Sequence, residues 1–227
     1  MRGVVLNGGA GRRLGGRDKA CLPIDEDVLL GCVFRRLMGQ CDYIALNAPE
    51  GRRYTGWPGL EIFQDDAPGY LGPAAGLMTT LNRWPSEAVL TVAVDLPLLP
   101  RALLPPLQAQ LALTPDACCS YAVVGNQHAL VVLWRPHSSR RLAAAYRCHG
   151  PRVGVLLQEL GVPVAFVPHG DEDLGLNVNT WTDHARAQAI LRPRCAWAPW
   201  MDTSGESTEA TASKAAASAC SAAAERN

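Results

Sequence analysis

A short apolar run, Gly3-Val4-Val5-Leu6, opens directly into a loop that few folds can use: Asn7-Gly8-Gly9-Ala10-Gly11-Arg12-Arg13-Leu14-Gly15-Gly16-Arg17-Asp18-Lys19. The run reads as a first β-strand. Residues 6–19 hold five glycines, three arginines and one lysine. Glycines let backbone N–H groups approach a ligand with no Cβ in the way. Successive N–H groups and a following helix N-terminus make a concave anion site. Arginine and lysine add full charges matched to phosphate oxygens. The chain therefore opens with a polyphosphate cradle, suited to a nucleoside triphosphate.

Two common phosphate loops fail against it. A P-loop requires G-x-x-x-x-G-K-[ST], but here Lys19 follows Asp18 and Ala20 stands where the magnesium-binding hydroxyl belongs. The dinucleotide fingerprint G-x-G-x-x-G loses its third glycine to Leu14 and carries arginines where a neutral turn is expected. A ligand-free surface turn accounts poorly for Gly-Gly pairs on both sides of Arg12-Arg13, ending in Asp18-Lys19.

Downstream, apolar runs alternate with helix-period segments, the pattern of βαβ units and a mostly parallel sheet. Strands are expected at 3–6, 43–47, 61–64, 89–94, 117–123, 129–134 and 162–167. Leu30, Val33, Phe34 and Leu37 stand at i, i+3, i+4, i+7 and mark a helix face turned to the sheet. Further helices are expected near 72–84, 101–113, 136–147, 153–160 and 182–191. In open α/β sheets, ligands bind outside the carboxyl ends of the strands. Asn7, Asn47, Asp65 and Asp95 each fall at such an end.

The 227 residues suit one α/β domain over 1–195, followed by a low-complexity tail over 196–227. From Thr203 on, the tail is alanine, serine and threonine with scattered charges, too poor in apolar surface to offset ordering entropy. Ala215–224 is a candidate fraying helix, and Trp197-Ala198-Pro199-Trp200 a candidate docking segment. Lys+Arg and Asp+Glu balance at 21 each, so no overall charge argues for nucleic acid or a membrane surface. With no signal peptide and no 18-residue apolar span, a cytoplasmic location is expected. The eight cysteines form no C-x-x-C. Most read as small buried residues in a reducing compartment, not as metal ligands or disulfides. Cys118 and Cys119, being adjacent, are expected on opposite faces of a strand.

The loop resembles the signature L-x-[AG]-G-x-x-x-R-[ML]-G-x-x-K of nucleotidyltransferases built on a Rossmann-like sheet. Its ending, Gly15-Gly16-Arg17-Asp18-Lys19, is similar to that of the molybdenum cofactor guanylyltransferases, which transfer GMP from GTP to molybdopterin. Four further segments agree in order: Leu46-Asn47-Ala48; Asp65 with Gly72-Pro73-Ala74-Ala75-Gly76-Leu77; Val94-Asp95-Leu96-Pro97; and Asn177-Val178-Asn179-Thr180. The resemblance covers residues 3–191. It implies an α/β, three-layer Rossmann-like nucleotidyltransferase fold with a mostly parallel central sheet. It also implies Mg2+ as cofactor, and GTP and molybdopterin (or Mo-molybdopterin) as partners. Molybdoenzyme apoproteins or cofactor-delivery chaperones would stand downstream. Related alternatives are a molybdopterin cytidylyltransferase, a sugar-phosphate nucleotidyltransferase, or a non-catalytic nucleotide- or cofactor-binding delivery protein.

Nucleotidyl transfer is an in-line attack on the α-phosphorus, so positioning and cations carry most of the catalysis. Lys19 is the first candidate for a phosphate-contacting cation and Arg13 the second. Arg12 and Arg17 are either phosphate contacts or solvent-facing. Asp18 either pairs with Lys19 or caps the next helix. Asp95 ends an apolar strand, where an ionised carboxylate needs a compensating charge. Magnesium suits it, with a turn or N-cap role before Pro97 as the alternative. By resemblance, Asp95 binds the metal, and Leu6, Asn7, Gly8, Gly9, Asn47, Asp65 and Gly72 line the nucleotide. Asp66 is an extra loop charge. Asn177 and Asn179 bracket Val178 at strand spacing and so share one face, suited to polar ligand groups or metal-bound water. Thr180 is positioned to cap the following helix. Resemblance places Arg152 and His128 on the acceptor side, Arg152 toward the molybdopterin phosphate; a histidine such as His128 is more often a structural turn residue.

The chain departs from the family in several places. Asn7 stands where alanine is usual, Leu14 replaces methionine, and Ala129 replaces a proline after histidine. Asp25-Glu26-Asp27-Val28 replaces a glycine-proline turn, so helix entry is expected to differ.

Overall fold

The computed structural model describes residues 1–8, 12–52, 54, 57, 60–66 and 72–191. The chain begins with β1 (Arg2–Leu6), two single-turn 3-10 helices (Arg12–Leu14 and Lys19–Cys21), β2 (Pro23–Ile24), β3 (Asp27–Val28) and α1 (Leu29–Leu37). It continues through β4 (Tyr43–Asn47), β5 (Glu61–Phe63), α2 (Pro73–Arg83), β6 (Val89–Ala93) and α3 (Leu104–Ala112). It closes with β7 (Cys119–Val124), β8 (Gln127–Trp134), α4 (Ser139–His149), α5 (Val153–Leu160), β9 (Gly161–Ala165) and α6 (Trp181–Leu191).

Seven strands form one sheet in the order β5-β4-β1-β6-β8-β7-β9. β8 is antiparallel to both of its neighbours, and the other pairings are parallel. Both faces of the sheet are covered, which is why its strands read as near-continuous apolar runs. In register, Val5 lies beside Leu46 and Val92. These pack with Leu30, Val33 and Leu37 of α1 and Leu104, Leu107 and Leu111 of α3. Val4 and Ala45 face the other way, against Leu77 and Leu81 of α2, Leu142 of α4 and Leu156 of α5. The result is three layers. Leu30, Val33 and Leu37 are fully buried, each contributing roughly 1.5–3 kcal/mol. Phe34, the fourth residue of the predicted face, is half-buried and meets Trp57 edge-on at 5.4 Å.

A third apolar cluster is local. Leu14, Leu22, Ile24 and Leu29 pack against Leu98, Leu176, Val178 and Ala187. It fastens the end of the phosphate loop to the segment that leads into α6.

The departure before α1 takes a definite form. Residues 25–26 turn between β2 and β3, which pair antiparallel, and Asp25 sits in the left-handed region at φ 55°. Asp27 then accepts from Arg35 and from the Val28 N–H, so α1 is entered from a hairpin. Cys118 lies just before β7, so the adjacent cysteines do not split across the sheet; both are buried in the same apolar cluster. Cys32 and Cys119 are buried, Cys41 is half-buried and Cys148 is exposed. Cys21 is disulfide-bonded, which corrects the thiol expected there. Cys195, Cys220, the tail from 196 onward, its Trp197–Trp200 segment and the candidate helix at 215–224 lie outside the described residues. Among the described residues, no helix is long and apolar enough to cross a membrane.

From β1 the chain runs outward to β4 and β5, then returns to β6 on the other side of β1. The strand order thus reverses between β1 and β6, and the carboxyl ends at such a switch point leave a crevice for a ligand.

Candidate active site

That crevice exists. A cleft of ≈ 220 Å³ is lined by residues that include Leu6, Asn7, Gly8, Asn47, Asp65, Gly72, Asp95 and Asn177. Lys19 also lines it. Its ammonium donates to Asp95 Oδ2 at 2.8 Å and to Asn179 Oδ1 at 2.7 Å. An ammonium carries three N–H donors, so one remains for an incoming phosphate oxygen. Lys19 and Asp95 side chains are only 13% and 17% exposed, which weakens solvent screening of the pair.

The loop after β6 holds Asp95, whose carbonyl accepts from the Val178 N–H at 2.9 Å. That bond runs the 176–179 segment along the end of β6. Residues 177–179 are not a strand, yet the expected alternation survives. Val178 is fully buried in the third cluster, while Asn177 lines the cleft and Asn179 reaches Lys19. Thr180 and Asp183 then cap α6 reciprocally. Asp183 Oδ2 accepts from the Asn179 N–H, the Thr180 N–H and the Thr180 hydroxyl at 3.1, 2.8 and 2.9 Å, and the Asp183 N–H donates back to Thr180 Oγ1 at 3.2 Å. This is a capping box. Burial acts upward on the Asp183 carboxyl, but the Thr180 hydroxyl and the two N–H donors outweigh it and hold the group below the usual carboxylate range.

On the other side of β1, Asn47 ends β4 and donates to Asp65 Oδ1 at 2.9 Å. Gly76 in α2 makes this possible. A Cβ there would sit 2.7 Å from Asn47 Oδ1 and 3.4 Å from Leu6 Cδ2. Gly72 precedes α2 at φ 76°, a backbone that suits glycine, with Pro73 at the first helical position. The N-terminus of α2 therefore opens toward the cleft. Asp66 turns its N–H to Thr79 Oγ1 at 2.9 Å.

Asp18 resolves to a cap rather than a partner of Lys19. Its Oδ1 accepts from the Ala20 N–H at 3.0 Å and from Asn7 Nδ2 at 2.8 Å. Its Oδ2 accepts from the Tyr54 hydroxyl at 2.6 Å, with Arg52 Nε at 3.9 Å. Asn7 Nδ2 also donates to the Tyr54 hydroxyl oxygen at 2.7 Å. Burial first, then the Asp18 carboxylate, pushes the Tyr54 hydroxyl far above its ordinary range, so it remains a donor. The sequence reading missed Tyr54, which stands alone among glycine, arginine and tryptophan with no motif around it. It also missed Asp183, for which Thr-x-x-Asp was a legible signal.

Not every predicted residue converges. Arg13 is exposed and outside the cleft lining. Arg17 is exposed and lies over the Trp181 ring at 5.8 Å. Gly9 lies outside the described residues. Arg152 is exposed at the start of α5, also outside the lining. His128 packs edge-on to Tyr121 at 5.3 Å, with its Nε2 3.3 Å from Gln158 Nε2. Two residues along β8, Leu130 reaches the cleft.

Magnesium was implied by resemblance, and the donor set can be tested for it. Among the described residues, no three His, Cys, Asp or Glu side chains cluster as a self-sufficient metal site. Asp95 and Asn177 both line the cleft, and Asn177 Oδ1 is buried without a hydrogen-bond partner among the described residues. One carboxylate and one vacant amide oxygen, beside a site for phosphates, fit a cation that takes few protein oxygens and completes its shell with phosphate and water.

Comparison with known proteins agrees with this geometry. The MobA-like NTP transferase domain matches residues 3–164. The molybdenum cofactor guanylyltransferase of Cereibacter sphaeroides is 34% identical over 196 residues, spanning 84% of this chain and 96% of that protein. The Mesorhizobium japonicum protein of the same name is 31% identical over 203 residues, covering 85% and 96%. In fold, the chain is similar to molybdopterin-guanine dinucleotide biosynthesis protein A from Archaeoglobus fulgidus. The TM-score is 0.68 at 19% identity, covering 85% of this chain and all of the other. With its motifs gathered at one cleft and its relatives aligned over most of their length, the chain belongs to the MobA-like NTP transferase family.

Proposed function

We propose that this protein transfers GMP from GTP to the terminal phosphate of molybdopterin, releasing pyrophosphate and giving molybdopterin guanine dinucleotide. The observation that carries the reading is the Lys19 ammonium at the switch-point cleft, held between Asp95 and Asn179. An enzyme of this kind must bring a cation and a metal-binding carboxylate to one phosphate site. The names of the relatives supply the acceptor and the base.

Lys19 is the residue placed to meet the triphosphate with its remaining donor, and the α2 N-terminus at Gly72 offers partial positive charge nearby. Asp95 and Asn177 would hold Mg2+, which when bound neutralises charge on the phosphoryl oxygens. The 176–179 segment fixes Lys19 and Asp95 relative to each other, so little reorganisation is needed as the reaction proceeds. The attacking molybdopterin phosphate is already ionised at neutral pH and requires no general base. The protein would pass its product to apoproteins or delivery chaperones.

The test is incubation with molybdopterin, Mg2+ and either GTP or CTP, with pyrophosphate and dinucleotide quantified. GTP-dependent product that falls roughly a hundredfold or more in Asp95→Ala is expected. Product from CTP alone overturns the choice of base. Cofactor binding that survives Asp95→Ala, with no turnover from either nucleotide, favours a delivery protein.

A further inference from the structure

We propose that the side-chain carbonyl of Asn7 selects the nucleobase by accepting a hydrogen bond from the guanine 2-amino group. This rests on the nucleotidyl-transfer reading and goes further, assigning base choice to a residue this chain does not share with the family pattern.

Asn7 is 3% exposed, yet it lines the cleft. Its orientation is fixed. Nδ2 lies 2.8 Å from Asp18 Oδ1 and 2.7 Å from the Tyr54 hydroxyl oxygen. Asp18 only accepts, and it also engages the Tyr54 proton at 2.6 Å. Turning the amide over would press its oxygen against a carboxylate and a hydroxyl lone pair, so the nitrogen must face this pair. Both Asn7 N–H bonds are then used, and no described residue hydrogen-bonds its Oδ1. What Asn7 can offer a ligand is an acceptor alone.

The position of that acceptor narrows its partner. Asn7 extends from the carboxyl end of β1, between the Lys19–Asp95 side of the cleft next to β6 and the Asn47–Asp65 side next to β4. The phosphates belong with Lys19. Around Asn7 the lining is apolar and made of nearly buried residues: Leu6 is 5% exposed, Val94 3% and Ala93 9%. Gly76 completes it with no side chain. An apolar floor suits the flat face of a base, whereas ribose hydroxyls fit the half-buried carboxylate of Asp65. A lone buried acceptor beside a base selects an edge that carries a donor. It penalises an edge that presents another acceptor, because the oxygen would then be buried unpaired.

The test uses the full chain and titrates GTP, ITP (which lacks the 2-amino group) and 2′-deoxy-GTP by calorimetry into wild type and Asn7→Ala. Alanine is the residue usual at this position in the family, so the variant is expected to fold. Wild type should bind GTP roughly three- to tenfold more tightly than ITP, and Asn7→Ala should lose that ratio. An equal loss for GTP and ITP means Asn7 only supports the loop and overturns the proposal. A loss confined to the GTP/2′-deoxy-GTP ratio assigns the oxygen to the ribose and also overturns it. Turnover with molybdopterin is measured in parallel. Wild type that binds GTP selectively but forms no dinucleotide removes the transferase reading and leaves the base contact standing.

Discussion

Gly76→Ala sets two effects against each other in a way the structure can arbitrate. The position lies inside α2, where alanine is ordinarily about 0.8–1.0 kcal/mol better than glycine. Here the added Cβ would lie 2.7 Å from Asn47 Oδ1, 3.5 Å from Asn47 Cγ and 3.4 Å from Leu6 Cδ2. Asn47 must retreat by several tenths of an ångström. It cannot do so freely, because it is 3% exposed and its Nδ2 is held 2.9 Å from Asp65 Oδ1. Overpacking of this kind costs about 1–3 kcal/mol. Stretching the Asn47–Asp65 bond past useful length adds about 0.5–1.5 kcal/mol. The losses exceed the propensity gain, leaving a net destabilisation of about 0.5–3.7 kcal/mol. For a domain of this size, that is about 2–4 °C in Tm per kcal/mol. Urea denaturation gives the stability and calorimetry with GTP the affinity, which should weaken together because Asn47 and Asp65 both line the cleft. A variant more stable than wild type, with unchanged GTP affinity, would refute the reasoning, since Asn47 would then have yielded at no cost.

Two further outcomes follow from the polar networks. Tyr54→Phe removes a hydroxyl that donates to Asp18 and accepts from Asn7, leaving a buried donor and a carboxylate oxygen short of partners. It should cost about 1–3 kcal/mol in chemical denaturation, and a loss under 0.5 kcal/mol, below that range, would show the network to be idle. Asp183 has its carboxyl held low by the capping box, so its contribution is present above the unfolded carboxylate pKa near 3.9 and fades as pH falls through the lower folded value. Wild type should therefore exceed Asp183→Asn in Tm at neutral pH and converge toward it in strong acid. A difference that does not change with pH would contradict the role assigned to its charge.

Much of the sheet was legible because its central strands β1 and β6 are buried almost throughout and read as unbroken apolar runs. β1, β4, β5 and β6 fall where those runs are, and their polar ends name the cleft. What the pattern could not carry is instructive. β2 and β3 have two residues each, too short for any periodicity, and the hairpin depends on Asp25 adopting a positive φ. β8 starts earlier than its apolar run because Gln127 and His128 pair with Val124 and Val123 beyond the end of β6. Lys19, Asp95 and Asn179 were legible singly, but their joining is a matter of topology. Lys19 lies 160 positions from Asn179, and the third apolar cluster helps bring the two segments together. Tyr54 has no sequence signal, because its importance lies entirely in what surrounds its hydroxyl.

That third cluster also says where this protein can be cut. The family match ends at residue 164, and a chain stopped there would retain every strand but the last residue of β9. It would nonetheless lose Leu176, Val178 and Ala187, against which Leu14, Leu22 and Ile24 are buried, along with the amide that steadies Lys19. Such a fragment would expose apolar surface at the root of its own phosphate loop. Truncations, fusions and permutations that respect the sheet alone would therefore separate the nucleotide grip from the helix that braces it.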